Sequence, residues 1–306
     1  MHHYTTLKNV QLTQSWVTLG TFDGVHLGHQ HIIRQLISQA HQAGYPTVVV
    51  TFHPHPAFVL SSETFPLILT TPTQRAEILG QLGVDVVITH PFNTQVANLT
   101  AEEFIKNLSK HLNIRQLWVG YDFAMGKGKK TTSLELGQLG EKYDYTLNRI
   151  SPLYVDGKIV SSSWIRELLG EGEVERAAAL LGRPHRVEGE VVEGDKRGKK
   201  LGFPTSNLHI PSSMACLRSG VYACHVWVGG ERWKAVVNLG VRPTFEHQPV
   251  PARIEIHILD FSGNLYGQTL LVEFITFLRQ ERKFENISAL QTQIEHDISR
   301  ARQILS

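Results

Sequence analysis

The tightest constraint on this chain is a change of rhythm at Gly182-Arg183-Pro184. Before it, short apolar runs rich in β-branched residues lie at 16–19, 47–52, 84–89, 117–119 and 145–150. Helical patterns separate them, at 29–43, 72–82 and 100–112. Within 29–43, Ile32, Ile33, Leu36, Ile37 and Ala40 share one face, and Thr100 with Glu103 forms a capping box ahead of the third helix. Strands alternating with helices of this length build βαβ units, hence a parallel sheet with helices on both faces. Short helices at 163–169 and 173–181 then lead to the Gly-Pro stop, which sets a boundary between 1–183 and 184–306.

After Pro184 the strands at 186–192, 221–228, 234–239, 254–259 and 269–277 follow one another through Gly-rich turns without helices. That pattern predicts a small antiparallel barrel or sandwich. A last helix, 286–305, carries Ile287, Leu290, Ile294, Ile298 and Ile304 down one side and is expected to cover an open face or end of the barrel. The fold class expected is α/β: a Rossmann-like N-terminal domain with a parallel sheet, then a small C-terminal antiparallel β-barrel with a C-terminal helix.

Composition excludes several classes. With 42% hydrophobic residues the chain has ample apolar surface to bury, which argues against disorder. No run approaches the roughly 20 apolar residues a membrane helix needs, and the first residues do not resemble a signal peptide. Cys216 and Cys224 are too few for a disulfide framework, so a cytoplasmic protein is expected. A net charge of +2 over 306 residues lacks the excess that duplex nucleic acid demands. No nucleic-acid or membrane partner is expected, and homo-oligomerisation stays open.

The first candidate site is Gly20-Thr21-Phe22-Asp23-Gly24-Val25-His26-Leu27-Gly28-His29, between the first strand and the first helix. Ligands bind there in open parallel sheets. Gly20 and Gly28 let backbone approach phosphate oxygens, and the helix N-terminus adds oriented N–H groups. His26 and His29, three apart, can face one phosphate. A plain βα turn with polar caps is the bland alternative for either histidine alone; no third ligand stands at zinc spacing. Nucleotidyl transfer suits such a loop, because a phosphate nucleophile (second pKa about 6) is already ionised and needs only alignment and charge stabilisation. Ser161-Ser162-Ser163-Trp164-Ile165-Arg166 supplies hydroxyls at a helix start and a cation one turn in.

The second candidate is Gly194-Asp195-Lys196-Arg197-Gly198-Lys199-Lys200-Leu201-Gly202-Phe203-Pro204-Thr205-Ser206-Asn207. Three glycines at intervals of four can lie over phosphates, although a solvated basic hairpin has the same charge pattern. The Thr205 hydroxyl and Asn207 amide, two apart on extended chain, point one way and offer hard oxygens to Mg²⁺. No Walker A spacing is present. Phosphorylating an alcohol also calls for a base. Arg253, Glu255 and His257 share one strand face, expected to line the barrel interior, where a carboxylate is either paired or used. His257 is read as structural.

The first half resembles the adenylyltransferase part of the prokaryotic bifunctional riboflavin kinase/FAD synthetases, within the wider His-x-Gly-His nucleotidyltransferases. Thr51-Phe52-His53-Pro54-His55-Pro56 and Val119-Gly120-Tyr121-Asp122-Phe123 carry the likeness further. Where the family has Arg-Phe-Gly, this chain has Ala124-Met125-Gly126, with Lys127, Lys129 and Lys130 nearby. A later Gly-Asp is Thr131-Thr132 here, and Ser-Ser-Thr is Ser161-Ser162-Ser163. The second half is similar to the riboflavin kinase domain through Gly-Asp-x-x-Gly…Gly-Phe-Pro-Thr-x-Asn, 219–222, 238–245, 265–267 and 278–284.

The resemblance implies two reactions: ATP-dependent phosphorylation of riboflavin to FMN, and adenylylation of FMN to FAD with release of pyrophosphate. It implies ATP as co-substrate with Mg²⁺, held through Thr205 and Asn207, and Glu255 as base on the ribityl hydroxyl. His26, His29 and Arg166 serve adenylyl transfer. ATP contacts fall on Gly20, Phe22, Asp23, Gly28, Ser162, Gly194, Gly198, Gly202 and Pro204. Flavin contacts fall on Arg279, Glu281 and Phe284 in the second half, and on Pro54, Pro56 and Asp122 in the first. The competing readings are a kinase with a degenerate first domain and a non-catalytic flavin-binding module.

Overall fold

Parallel strands in the order β1-β4-β3-β2-β5-β6 form the sheet of the first half of this computed structural model. The structure describes residues 1–60, 67–126, 128, 131–193, 201–215, 217–240 and 254–306. Contacts divide the chain into two units, Met1–Ser162 and Ser163–Ser306.

In the first unit the elements are β1 (His2–Tyr4), β2 (Ser15–Leu19), α1 (Leu27–Gln42), β3 (Thr47–His53), α2 (Pro56–Leu60), α3 (Pro72–Gln81), β4 (Val86–Pro91), α4 (Thr94–Ala97), α5 (Ala101–Leu112), β5 (Ile114–Gly120), α6 (Ser133–Tyr143), β6 (Thr146–Ile150), β7 (Tyr154–Val155) and β8 (Lys158–Ile159). Residues alternate across the sheet. Val48, Val50, Val86 and Ile88 pack on Phe104, Ile105 and Leu108 of α5, while Val49 and Val87 meet Ile33 of α1 and Leu79 of α3 on the other face. Both faces are thus dry, which is why the strands read as unbroken apolar runs. The capping box at Thr100 and Glu103 is present, and Thr71 with Gln74 makes another.

The sequence pattern did not reveal α6. Gly137 and Gly140 each lower helix propensity by about 1 kcal/mol. Gly140 is there for space, since a Cβ would lie 2.4 Å from the Tyr145 carbonyl oxygen. A Thr132–Glu135 capping box and Asp144 in the left-handed region bound the helix.

In the chain beyond, α7 (Ser162–Glu171) and α8 (Val174–Leu181) precede β9 (His185–Val192), β10 (Ser206–His209), β11 (Gly220–Val228), β12 (Glu231–Leu239), β13 (Ile254–Ile258), β14 (Thr269–Arg279) and a C-terminal helix, Ile287–Ile304. The strands close into an antiparallel barrel, β10-β13-β12-β11-β14-β9, so the pattern resolves as a barrel rather than a sandwich. Ile254, Ile256 and Ile258 are buried while Glu255 and His257 between them are only half-buried. Glu255 therefore faces outward from the barrel, which corrects the expectation of an interior carboxylate; register, not composition, decides the face.

The C-terminal helix docks on the barrel's outer wall, with Ala301 and Leu305 against Val221, Val236 and Leu278. Its expected apolar stripe is only partly used: Ile298 packs there, but Ile287 is 65% and Ile304 37% exposed. Asp297 is buried in their place, held by an ion pair described below.

Candidate active sites

The first site forms where the strand order turns back. From β2 the chain goes one way to β3 and the other way to β5, so Gly20 and Gly120 leave neighbouring strands side by side. That switch point is where open α/β sheets bind ligands. The β2–α1 turn is forced into an unusual shape, with Phe22 at φ 46° and Val25 at φ 41°. A β-branched residue in the left-handed region is strained, by about 1–3 kcal/mol, and persists only where its surroundings hold it. Val25 is fully buried.

Asp23 provides much of that hold. Its carboxylate is closed to solvent, accepts from the Leu69 N–H at 3.0 Å and the Thr70 N–H at 3.2 Å, and pairs with Arg75 at 3.5 Å. It shapes the turn from within. The Ser162 hydroxyl, at the start of α7, donates to the Asp23 carbonyl at 2.8 Å, and Arg166 follows one turn later on the same helix.

His26 caps α1, its Nδ1 accepting from the His29 N–H at 3.4 Å. A neutral His26 bonded in this way carries its proton on Nε2. The two imidazoles stack, centroids 3.6 Å apart and planes at 20°. Gly28 permits this: a Cβ there would sit 3.1 Å from the His26 ring and 3.3 Å from the Val160 carbonyl oxygen. Gly20 likewise leaves room for the Phe22 ring, 3.1 Å from where its Cβ would be. Phe22 in turn meets His29 edge-on at 5.2 Å.

Among the described residues, the shielded Nδ1 of His29 has no hydrogen-bond partner. Burial first, and then the neighbouring His26 and Arg75, hold the His29 pKa well below the ordinary imidazole value.

Around this turn the other strand ends form a rim. Pro54 follows β3 directly, exposed, and Pro56 begins α2. On the opposite side Asp122 is exposed just past β5, and Arg149 Nε donates to the Tyr121 carbonyl at 3.0 Å. Lys127, Lys129 and Lys130 lie outside the described residues.

The second site lies on the outside of the barrel. Val192, Asn207, Glu255, Asn238, Val221 and Arg279 are successive cross-strand partners from β9 round to β14. Directly opposed residues point to one face with Cβ atoms about 5 Å apart. Glu255 therefore stands between Asn207 and Asn238, with Thr205 just ahead of β10. His257 Nδ1–H donates to the Pro204 carbonyl at 2.8 Å and its ring meets Phe203 edge-on, consistent with a structural role. Gly202, at φ 90°, turns the chain into this segment. Gly194, Gly198 and the cations between them lie outside the described residues, as does Arg253.

Arg279, Glu281 and Phe284 come together beside this row. Asn238 Nδ2 donates to Glu281 at 3.1 Å, and the Arg279 guanidinium lies 5.8 Å from the Phe284 ring centre, on which Arg282 also stacks at 4.9 Å. Arg279 is fixed by a forked ion pair to Asp297 (2.7 to 3.1 Å). Asn238, Asp297 and Arg75 escaped the sequence reading. Asn238 sits in a motif noticed there, whereas nothing in their helical patterns marks the other two.

Thr205 and Asn207 bring a hydroxyl and an amide oxygen, the hard donors that suit Mg²⁺ arriving on nucleotide phosphates. Among the described residues no group of three or more His, Cys, Asp or Glu could hold a metal ion.

Fold and sites together define a two-part α/β protein: a parallel α/β unit with a His-x-Gly-His turn at its switch point, and an antiparallel barrel with a carboxylate and hard oxygens in one outer row. The FAD synthetase family model matches residues 8–164 and the riboflavin kinase family model residues 181–305. A bifunctional riboflavin kinase/FMN adenylyltransferase of Bacillus subtilis (strain 168) is 39% identical over 97% of this chain and 94% of its own length. Its counterpart in Pseudomonas fluorescens is 38% identical over 93% and 91%. A crystal structure described as a macrolide-efflux protein from Streptococcus pneumoniae shares the fold at 30% identity, TM-score 0.86, covering 98% of both chains. The chain belongs to the bifunctional riboflavin kinase/FMN adenylyltransferase family. Among the described residues no helix is long and apolar enough to cross a membrane.

Proposed function

We propose that this chain transfers the γ-phosphoryl of ATP to riboflavin, giving FMN, and then joins FMN to the AMP moiety of a second ATP, releasing pyrophosphate. Residues 1–183 carry the second reaction and 184–306 the first, a division supported by family matches ending at 164 and starting at 181. The reading places the enzyme in the cytoplasm, in line with its sparse cysteines.

In the kinase half Glu255 takes the proton from the ribityl hydroxyl as that oxygen attacks the γ-phosphorus. Thr205 and Asn207 hold Mg²⁺, which when bound neutralises phosphate charge. ATP binding is assigned to Gly202 and Pro204, together with Gly194 and Gly198, which lie outside the described residues, and Arg279, Glu281 and Phe284 edge the flavin. The single observation that carries this half is the register of Asn207 against Glu255.

In the adenylyltransferase half the FMN phosphate attacks the α-phosphorus of ATP without a base. His26, His29 and the head of α1 stabilise charge there, Arg166 adds a cation, and Gly20, Phe22, Gly28 and Ser162 shape the nucleotide cleft. Asp23 contributes by holding the turn. Pro54, Pro56 and Asp122 line the rim for the flavin.

Purified protein incubated with riboflavin, ATP and Mg²⁺ tests this, with riboflavin, FMN and FAD separated over time. Successive appearance of FMN and FAD is expected. FMN alone would mean a first half that does not turn over, and neither product a binding module.

A further inference from the structure

Arg75 lies in α3, outside every motif noticed in the sequence, yet its guanidinium is only 2% exposed. It reaches into the first site from behind. Nη1 donates to the Thr51 hydroxyl at 2.9 Å and the Phe52 carbonyl at 3.3 Å, at the end of β3. Nη2 donates to the Thr70 carbonyl at 3.2 Å and faces the Asp23 carboxylate at 3.5 Å. The Thr51 hydroxyl itself donates to the Thr21 carbonyl at 2.8 Å, and the Thr70 hydroxyl accepts from the Gly24 N–H at 3.1 Å. One buried cation thus ties the strained 20–26 turn to the end of β3 and to the segment ahead of α3.

Resting on the adenylyltransferase reading above, we infer that Arg75 is a positioning residue for adenylyl transfer, setting the His26–His29 pair against the rim at Pro54 through Asp23, Thr51 and Phe52. Burying a guanidinium is costly unless its fork is matched by acceptors, and here they come from three separate segments. Packing alone would be served by an apolar side chain at position 75. The turn it braces holds Phe22 and Val25 at positive φ, a shape that relaxes once the brace is lost.

The same cation has an electrostatic consequence. The titratable groups facing His29 are His26, at the head of its own helix, and Arg75 from α3, with Asp23 of the turn bound to that guanidinium. Arg75 adds to the burial that keeps His29 neutral. Geometry and charge can be separated, because lysine keeps the charge but cannot reproduce the fork.

The experiment compares wild type, Arg75→Lys and Arg75→Met as full-length proteins. FAD formation from FMN is followed across pH, and riboflavin phosphorylation by the same preparations serves as the internal control. Arg75→Lys is expected to lower kcat for FAD formation about 100-fold, the scale of a small misplacement of reacting groups. Its acid limb should stay where the wild type has it, and kinase activity should be unchanged. Arg75→Met should lower kcat and also move the acid limb to higher pH.

A merely structural residue would change the melting temperature while leaving kcat per folded molecule and the pH profile alone, and that result overturns the inference. If the position 75 variants do not fold, Thr51→Val removes one arm of the fork with Arg75 in place. A kcat drop of about 10-fold is then expected, and an unchanged kcat overturns the inference. Wild type that makes no FAD would refute the adenylyltransferase reading itself, a result distinct from either.

Discussion

Glu255 and Asn207 are direct partners across two antiparallel strands of the barrel, with Asn238 on the other side of Glu255. The carboxylate and the amide therefore project from the same outer face, although 48 residues separate them in the chain. A base and a phosphate-side ligand need that proximity if a hydroxyl is to be deprotonated as it meets a phosphoryl group.

Acid should weaken the fold through His29. Its folded pKa lies below the ordinary value near 6.5, so the ring is neutral at pH 7. The unfolded chain binds that proton more readily, so stability contributed here declines as pH drops below about 6.5 and is fully lost once the folded pKa is passed. Urea midpoints measured from pH 7.5 to 4.5 should decline less in His29→Ala than in wild type. Parallel declines would remove His29 as the cause.

Gly28→Ala places a Cβ against the His26 ring and the Val160 carbonyl. The expected cost is about 1–3 kcal/mol of stability, with a larger proportional loss of FAD formation because the stacked rings must part. Thermal melting and FMN turnover on one preparation check both, and riboflavin phosphorylation should be untouched.

Asp297→Asn leaves Arg279 without its carboxylate on the barrel wall. Removing one partner of a pair this buried costs about 3 kcal/mol, seen as a lower urea midpoint. The loosened Arg279–Phe284 corner should raise KM for riboflavin more than it lowers kcat. Asp297→Glu, which keeps the charge, should recover part of the loss, and FAD formation from FMN should not change.

Dissociating acid from stability identifies a further group, Asp85. Hydrogen bonds from the Thr47 backbone and from the His41 and Thr47 side chains outweigh its partial burial and hold its pKa below the usual carboxylate value. A depressed carboxylate stabilises the fold above its unfolded pKa, and that contribution disappears as pH falls through the folded one. Asp85→Asn should therefore flatten the acid side of the stability profile below about pH 4; an unaltered profile would contradict the assignment.

The parallel sheet was legible because β2, β3, β4 and β5 are covered on both faces and read as unbroken apolar runs. The switch-point turn was legible because Gly20, Gly28 and the paired histidines stand at its ends. Less visible was what braces the site from behind. Arg75 sits in a helix whose other residues account for its pattern, and Asp297 occupies the face where an apolar side chain is expected. The orientation of Glu255 depends on the register of β13 between β10 and β12, and alternation alone assigns no inside or outside. Gly137 and Gly140 hid α6, since a close carbonyl at Tyr145, absent from local sequence, is what requires the second of them.

The most direct test of two independent sites on one chain is Glu255→Gln assayed for both reactions in one preparation. Riboflavin phosphorylation should fall by about 10²–10⁴-fold, as expected on losing a general base, while FMN supplied directly is converted to FAD at the wild-type rate. Loss of both activities in a folded protein, or undiminished phosphorylation of riboflavin, would contradict the account.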